Sequence, residues 1–233
     1  MTASTVGALA AKNATKTIPI VFYSAGDPVA TGLVDSLARP GANVTGFTVI
    51  SAILAGKRLE LLKETIPKLS QVAVLWNPRD PGSEQQWKES QLSARELGLQ
   101  LYSMEVGSAD RYEIAFKEAT KARGTALAVT LSALFVANSK GITELAAKYR
   151  LPAIYPREDF VASGGLMSYG ADLTEPYRRA ALIVDKILKG TKPAELPVEQ
   201  PTKFELMINL KTAKALGLTI PPVVMMRVEK VIK

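Results

Sequence analysis

The chain has 233 residues, of which 47% are hydrophobic and 22% are charged, and its formal net charge is +7. This composition is typical of a globular protein that forms one large domain or two smaller lobes. The sequence contains no cysteine and no histidine, which excludes disulfides, thiolate nucleophiles and zinc–thiolate sites and removes the usual general base. The composition therefore favours a binding protein over an enzyme, with no catalytic residue, no metal and no cofactor expected.

The stretch 18–37 predicts the first unit that could hold a ligand. The apolar run 18–23 is typical of a strand buried on both faces, and the small residues 24–26 predict a turn. Asp27 stands where a helix N-cap is expected, and Pro28 suits the first position of a helix that continues to Leu37. Such a unit brings free backbone N–H groups to the carboxyl edge of a sheet. A plain connection without a ligand, in which Asp27 only caps the helix, is the alternative.

Strands and helices alternate along the rest of the chain. Ser83 and Gln86 have the spacing of a capping box, for a helix that stops at Gly98. The helical stretch 131–149 is weakened at Gly141, so it could form two pieces. The predicted strands are 43–50, 71–76, 99–106, 126–130, 151–155, 166–169 and 204–210, and the other predicted helices are 57–66, 109–122, 156–162, 175–188 and 211–216.

The alternation of strands and helices predicts an α/β fold with parallel sheets and helices on both faces. About seven strands over this length fit two doubly wound lobes better than one. The segments 51–57 and 191–201, the second rich in proline, are interpreted as crossings between the lobes.

Polar and aromatic residues gather at the predicted carboxyl ends of the strands. In doubly wound sheets ligands bind at this edge, near the switch points of the strand order. Hydroxyls and backbone N–H groups could hold a carboxylate, an acid could hold an ammonium group, and aromatic faces could cover an apolar side chain. Each residue also has a structural interpretation as a cap, a turn former, a core aromatic or a solvated acid. The predicted ligand-binding residues are Ser24, Ala25, Asp27, Thr48, Asn77, Asp80, Thr130, Ser132, Tyr155, Glu158 and Tyr169.

Other functional motifs are absent from the sequence. There is no glycine-rich dinucleotide fingerprint, no Walker-type loop and no Gly-x-Ser-x-Gly motif. The basic residues are scattered along predicted helices and are interpreted as solvated faces, so no nucleic-acid partner is expected.

Four segments of the sequence together resemble the substrate-binding proteins of ABC transporters, and most nearly the branch that includes binders of tryptophan and other aromatic amino acids. They are SAGDPVATGLVDSLARPGANVTGFT, GKRLELLKETIPKLSQVAVLWNP, LPAIYPREDFVASGGLMSYGADLTEPYRRAA and LPVEQPTKFELMINLKTAKALGLTIPP. The resemblance covers essentially the whole chain. It implies a type I periplasmic binding fold with two Rossmann-like lobes, three crossings, a ligand in the cleft between the lobes, and closure about a hinge.

The resemblance also implies the lobes, the location and the partners of the protein. Residues 1–50 and 172–190 would form the first lobe, and residues 51–171 and 202–233 the second. Family members carry a signal peptide or lipid anchor, then about two βα units and a strand before the helix at 3–13. We therefore expect an incomplete first lobe with an exposed sheet edge. The N-terminal residues lack the pattern of a signal peptide, and the resemblance alone implies a periplasmic or membrane-anchored protein.

The sequence thus predicts the solute-binding component of an ABC import system. Its expected ligand is a small molecule such as an amino acid or a similar carboxylate, and its expected partner is a permease in the inner membrane. A ligand-sensing domain of a regulatory or receptor protein is the alternative. A racemase-like enzyme would need two acid/base residues facing each other across the cleft, and the chain offers poor candidates without cysteine or histidine.

Overall fold

The computed structural model describes residues 1–122, 125–172 and 174–233, which form nine strands in two sheets and ten α-helices. The strands are β1 (Ile20–Ala25), β2 (Val44–Thr48), β3 (Gln71–Trp76), β4 (Gln100–Glu105), β5 (Leu127–Val129), β6 (Ala153–Tyr155), β7 (Met167–Ala171), β8 (Phe204–Asn209) and β9 (Lys230–Ile232). The helices are α1 (Thr5–Ala14), α2 (Ser51–Thr65), α3 (Pro81–Leu97), α4 (Tyr112–Lys121), α5 (Ala133–Ala137), α6 (Ser139–Lys148), α7 (Glu158–Ala162), α8 (Thr174–Leu188), α9 (Leu210–Ala215) and α10 (Pro222–Met225).

The small sheet consists of β1 and β2, which pair in parallel. Every residue of β2 is buried, because one face of the sheet packs against α1 and the other against α8. Phe22 belongs to the core on the α1 side, and Val21 packs with Ala180 and Ile183 of α8. The alternation of side chains along β1 therefore supplies two separate apolar layers.

Each edge of the small sheet carries one isolated bridge in the described residues. The backbone N–H of Thr2 donates to Val21 O at 3.0 Å on the edge that was expected to be exposed, and the incomplete first lobe stays a prediction. On the other side, Glu199 pairs with Phe47 of β2, and Val198 enters the α1-side core. The proline-rich segment 191–201 thus reaches the small sheet. The division into lobes stays a prediction.

The large sheet has seven strands in the order β4-β3-β5-β6-β7-β8-β9. All described pairs are parallel except β7–β8, which is antiparallel. One face carries a core that includes Leu62 and Val74, and the other a core that includes Phe116 and Phe135. The predicted α/β class with parallel sheets is therefore confirmed, whereas the antiparallel pair and the short strand β9 were not predicted.

The prediction of a helix after Asp27 is wrong. Asp27 Oδ1 does accept hydrogen bonds from the N–H groups of Val29 and Ala30, as a cap should. The chain then turns at Gly32, whose φ is 69°, and the N–H of Leu33 returns to Pro28 O at 2.9 Å. This is the pattern that ends helices, and here it closes after a single turn. Leu33 and Val34 reach the core through this turn instead of through a helical stripe.

Other predicted boundaries also need correction. The helix predicted from residue 57 begins earlier, since α2 starts at Ser51; the interpretation of 51–57 as a crossing stays a prediction. The capping box of Ser83 is wrong, since Asp80 caps α3 by accepting from Gly82 N at 3.0 Å. The break in 131–149 falls at Asn138 rather than at the predicted glycine. Among the described residues, no helix is both long and apolar enough to cross a lipid bilayer.

We expect Gly46→Ala to destabilise the fold by about 2–4 kcal/mol. A Cβ at Gly46 would lie 1.9 Å from Phe22 O in the neighbouring strand, and its φ is 156°. Gly141→Ala is the matched control, because nothing lies within 4 Å of a Cβ added there, inside α6. That control should be unchanged or more stable by about 0.5–1 kcal/mol. Urea unfolding of both variants measures the difference, and equal midpoints would contradict the packing described for β1 and β2.

Candidate functional site

A cavity of about 350 Å³ lies where residues of the small sheet face the carboxyl edge of the large sheet. One side is lined by Tyr23 of β1, Gly26, residues 3–5 at the start of α1 and Tyr177 of α8. The start of α3, the loop 131–132, helix α5 and Arg157 line the other. The volume is in the range of pockets that hold small ligands.

Two tyrosines form an aromatic wall of the cavity. The ring centroids of Tyr23 and Tyr177 are 4.8 Å apart, with the ring planes tilted by 42°. Burial and the neighbouring Tyr177 hydroxyl raise the pKa of Tyr23. Tyr177 remains 50% exposed and lines the cavity, so part of its side chain is accessible to a ligand. Tilted ring pairs of this kind are favourable contacts for a further aromatic group.

Asp80 is a buried acid at the opposite wall. Asp80 is only 4% exposed, and one of its carboxylate oxygens caps α3 by accepting from Gly82 N. Burial raises the pKa of Asp80, although hydrogen bonds from Ser132 and the backbone oppose this effect. Asp80 is the one carboxylate among the described residues that line the cavity. A buried carboxylate of this kind gains stability from a cationic group placed beside it.

A network of buried side chains holds the loop between β5 and α5. Gln86 accepts a hydrogen bond from Leu131 N at 2.7 Å and donates to Leu131 O at 3.0 Å. The hydroxyls of Ser83 and Thr130 are 2.7 Å apart, and Asn77 Nδ2 donates to Ser132 Oγ at 3.2 Å. The loop is therefore fixed by side chains from two neighbouring segments.

Arg157 supplies a positive charge at the same cavity. It lies just before α7 and pairs with Asp159, its Nε being 3.2 Å from Oδ1. About a quarter of the Arg157 side chain is exposed. The cavity therefore combines an acid, a guanidinium group, hydroxyls and an aromatic wall. These groups suit a zwitterion that carries an aromatic side chain.

The structure brings some of the predicted site residues together. Asp80 and Ser132 line the cavity, and Asn77 lies behind it, donating to Ser132. Thr130 precedes the loop, and its hydroxyl bonds to Leu75 O of β3 and to Ser83. Ala25 is fully buried in the small-sheet core. The side chain of Ser24 lies outside the part that the structure describes.

The other predicted residues are placed elsewhere. Asp27 and Thr48 line a separate groove of about 70 Å³. Tyr155 is fully buried with its ring stacked on Phe160, 4.9 Å between centroids, because its side chain points to the α6–α7 face of the sheet. Burial raises the pKa of Tyr155.

Two further predicted residues point away from the cavity. Glu158 pairs with Lys230 at 2.8 Å. The ring of Tyr169 faces Phe204, with the ring centroids 6.2 Å apart. Neither residue lines the cavity, so their strand-end positions do not place their side chains at the site.

The lining residues that sequence reasoning missed include Tyr23, Gln86, Arg157 and Tyr177. Tyr23 lies one residue before the predicted turn, and Arg157 lies between two residues that were named. Their neighbours were therefore a usable signal. Tyr177 is on α8, far away in sequence, and nothing local marked it as a partner of Tyr23.

A family model described as ABC transporter substrate binding protein matches residues 1–232 of the chain. The chain therefore belongs to this family, as its four characteristic segments predicted. The family is one of solute-binding proteins and not of enzymes.

The relatives include binders of aromatic amino acids. A tyrosine-binding protein of Clostridioides difficile (strain R20291) is 30% identical over 215 residues, which is 92% of this chain and 61% of that protein. The chain thus spans less than two thirds of this curated relative. A solved ABC domain in complex with L-Trp, from Streptococcus pneumonia, is 27% identical with a TM-score of 0.90, and the match covers 99% of this chain and 79% of that chain. A conserved domain protein from Vibrio cholerae is 29% identical with a TM-score of 0.93, covering 98% and 76%.

We expect Asp80→Asn to change how stability depends on pH. Because burial raises the pKa of Asp80, the folded state binds this proton more tightly than the unfolded chain does. The stability of the wild type should therefore fall, relative to Asp80→Asn, as pH rises from about 4, the pKa of an unfolded aspartate, through the raised pKa. At pH 7 the variant should be at least as stable as the wild type, because asparagine can still cap α3.

Asp110→Asn is the control for this experiment. Asp110 is exposed, and its hydrogen bond from Ser108 lowers its pKa, so its contribution should have the opposite sign and be lost as pH falls. Urea unfolding between pH 3 and pH 8 measures both differences. A stability difference for Asp80→Asn that does not vary with pH would show that the carboxylate is not desolvated.

Proposed function

We propose that the protein binds an aromatic amino acid, tryptophan or tyrosine, in the cavity of about 350 Å³. The observation that carries this proposal is the pairing of the Tyr23–Tyr177 wall with the buried Asp80 in one cavity. The aromatic side chain of the ligand packs against Tyr177, and its ammonium group pairs with Asp80. Ser132 adds a hydroxyl, and the carboxylate lies on the cationic side near Arg157.

Relatives support this assignment of the ligand class. The Clostridioides difficile relative is named for tyrosine, and the Streptococcus structure holds L-Trp. By the same family relationship, we propose that the protein delivers its ligand to an ABC permease and works outside the inner membrane. Residues 1–50 with 172–190 and residues 51–171 with 202–233 are the proposed lobes, which close on the ligand about the crossings.

A thermal-shift assay with L-tryptophan, L-tyrosine and L-alanine tests the ligand class. A ligand that binds only the folded state raises the melting temperature as its concentration rises. At a hundredfold excess over Kd, it adds about 2.7 kcal/mol to the free energy of unfolding. We expect both aromatic amino acids to raise the melting temperature and L-alanine to leave it unchanged. A chain that responds to neither aromatic amino acid would overturn the proposal.

Substitutions at Tyr177 separate its ring from its hydroxyl. Tyr177→Phe keeps the ring and should keep the affinity for L-tryptophan within about threefold, whereas Tyr177→Ala should lose about tenfold or more. Because Tyr177 is half exposed, both variants should fold. Isothermal titration calorimetry gives the affinities. Equal affinities of wild type and Tyr177→Ala would show that the aromatic wall does not contribute to binding.

A further inference from the structure

Arg58 is a buried guanidinium group that no carboxylate of the described residues neutralises. Its residue is 3% exposed, and it forms no ion pair in that part of the chain. Burial lowers the pKa of Arg58 to about 9. Burying a charge without an opposite charge beside it is unfavourable. Among the described residues, Arg58 is compensated by neutral hydrogen-bond acceptors alone and by no carboxylate.

The hydrogen bonds of Arg58 leave part of its guanidinium group unused. Nε donates to the backbone oxygen of Tyr169 at 2.9 Å, which orients the plane of the group. Nη1 lies 3.5 Å from Gln86 Oε1, at the outer limit of a hydrogen bond, and that oxygen already accepts from Leu131 N at 2.7 Å. Among the described residues Nη2 has no partner. Arginine has five N–H donors in a fork that matches a carboxylate.

A second, small cavity adjoins Arg58. Its volume of about 10 Å³ has room for about one water-sized oxygen atom. Leu131 and Arg157 line both this cavity and the main one, so the two are neighbours. Arg157 already pairs with Asp159, whereas Arg58 pairs with no carboxylate of the described residues. The unbalanced positive charge therefore lies at the inner end of the site.

We propose that Arg58 is the residue that recognises the carboxylate of the ligand, with one carboxylate oxygen entering the small cavity beside it. This inference rests on the proposed function and extends it to a subsite. The ligand then lies with its carboxylate towards Arg58 and Arg157 and its ammonium group towards Asp80. Arg58 supplies the charge, Tyr169 O orients it, and Gln86 links it to the loop at Leu131.

The test compares each ligand with its amide in wild type and Arg58→Gln. We expect wild type to bind L-tryptophan about tenfold or more tighter than L-tryptophanamide, as charge-assisted hydrogen bonds to a buried group imply. In Arg58→Gln this preference should fall to about threefold or less. Arg95→Gln, an exposed arginine at the end of α3, should keep it.

Stability distinguishes a ligand-binding role from a structural one. Removing a buried charge that has no carboxylate beside it should leave the melting temperature of unliganded Arg58→Gln unchanged or higher. The proposal would be overturned if Arg58→Gln folds and its affinities for L-tryptophan and L-tryptophanamide fall by the same factor. If Arg58→Gln does not fold, Arg58→Met decides, because methionine removes the charge and keeps an unbranched side chain of similar length. An unaltered carboxylate preference in Arg58→Met would also overturn it.

The smallest carboxylate separates this inference from the proposed function. Acetate and acetamide need no aromatic wall to bind. Their effects on the melting temperature are therefore compared at equal concentration and ionic strength. If wild type binds no aromatic amino acid but is stabilised by acetate over acetamide, and Arg58→Gln loses that difference, the ligand class is wrong and the subsite stands. If wild type prefers no carboxylate over its amide in any of these pairs, the subsite is wrong.

Discussion

The hydrogen bonds between Gln86 and the backbone of Leu131 are the interaction on which the site depends. The loop after β5 leaves the sheet at its carboxyl edge, where backbone groups have lost their strand partners. Gln86 satisfies both the N–H and the carbonyl of Leu131 from one side chain. This fixes the neighbouring Ser132 against Asp80 and leaves Arg58 behind the same amide. The position of α3, through one glutamine, thus determines where the polar groups of the cavity stand.

Many features of the fold could be predicted from the sequence because they depend on local pattern. Buried apolar runs such as 71–76 identify strands wherever they are long enough to be distinctive. The three-residue strand β9 has no such run, and it forms because β8 offers an edge to pair with. The helix expected after Asp27 fails because Gly32 ends it after one turn, a competition that the apolar spacing of Leu33 and Val34 does not reveal.

The site could be predicted only in part, because the strand-end rule identifies positions and not side-chain directions. Asp80 and Ser132 follow their strands and point into the cavity. Tyr155 also ends a strand, but it is fully buried against Phe160. The alternation of side chains along the strand directs it to that face of the sheet. Tyr177 contributes from a helix more than 150 residues after Tyr23, since only tertiary packing brings the two rings together. Such a pair has no local signature.

Residues from different hydrophobic cores line the cavity. Tyr23 packs with the α8-side core of the small sheet, whereas Asp80 and the Leu131 loop, with Arg58 in the adjoining small cavity, are held by the large sheet and its helices. A cavity with a partly exposed tyrosine and a buried carboxylate, and with the buried charge of Arg58 in the small cavity next to it, gains stability when a ligand of matching charge fills it. Under the proposed function, the ring of the ligand contacts one core and its charged end the other. Under the proposed closure of the two lobes, the free energy of binding would also favour their approach.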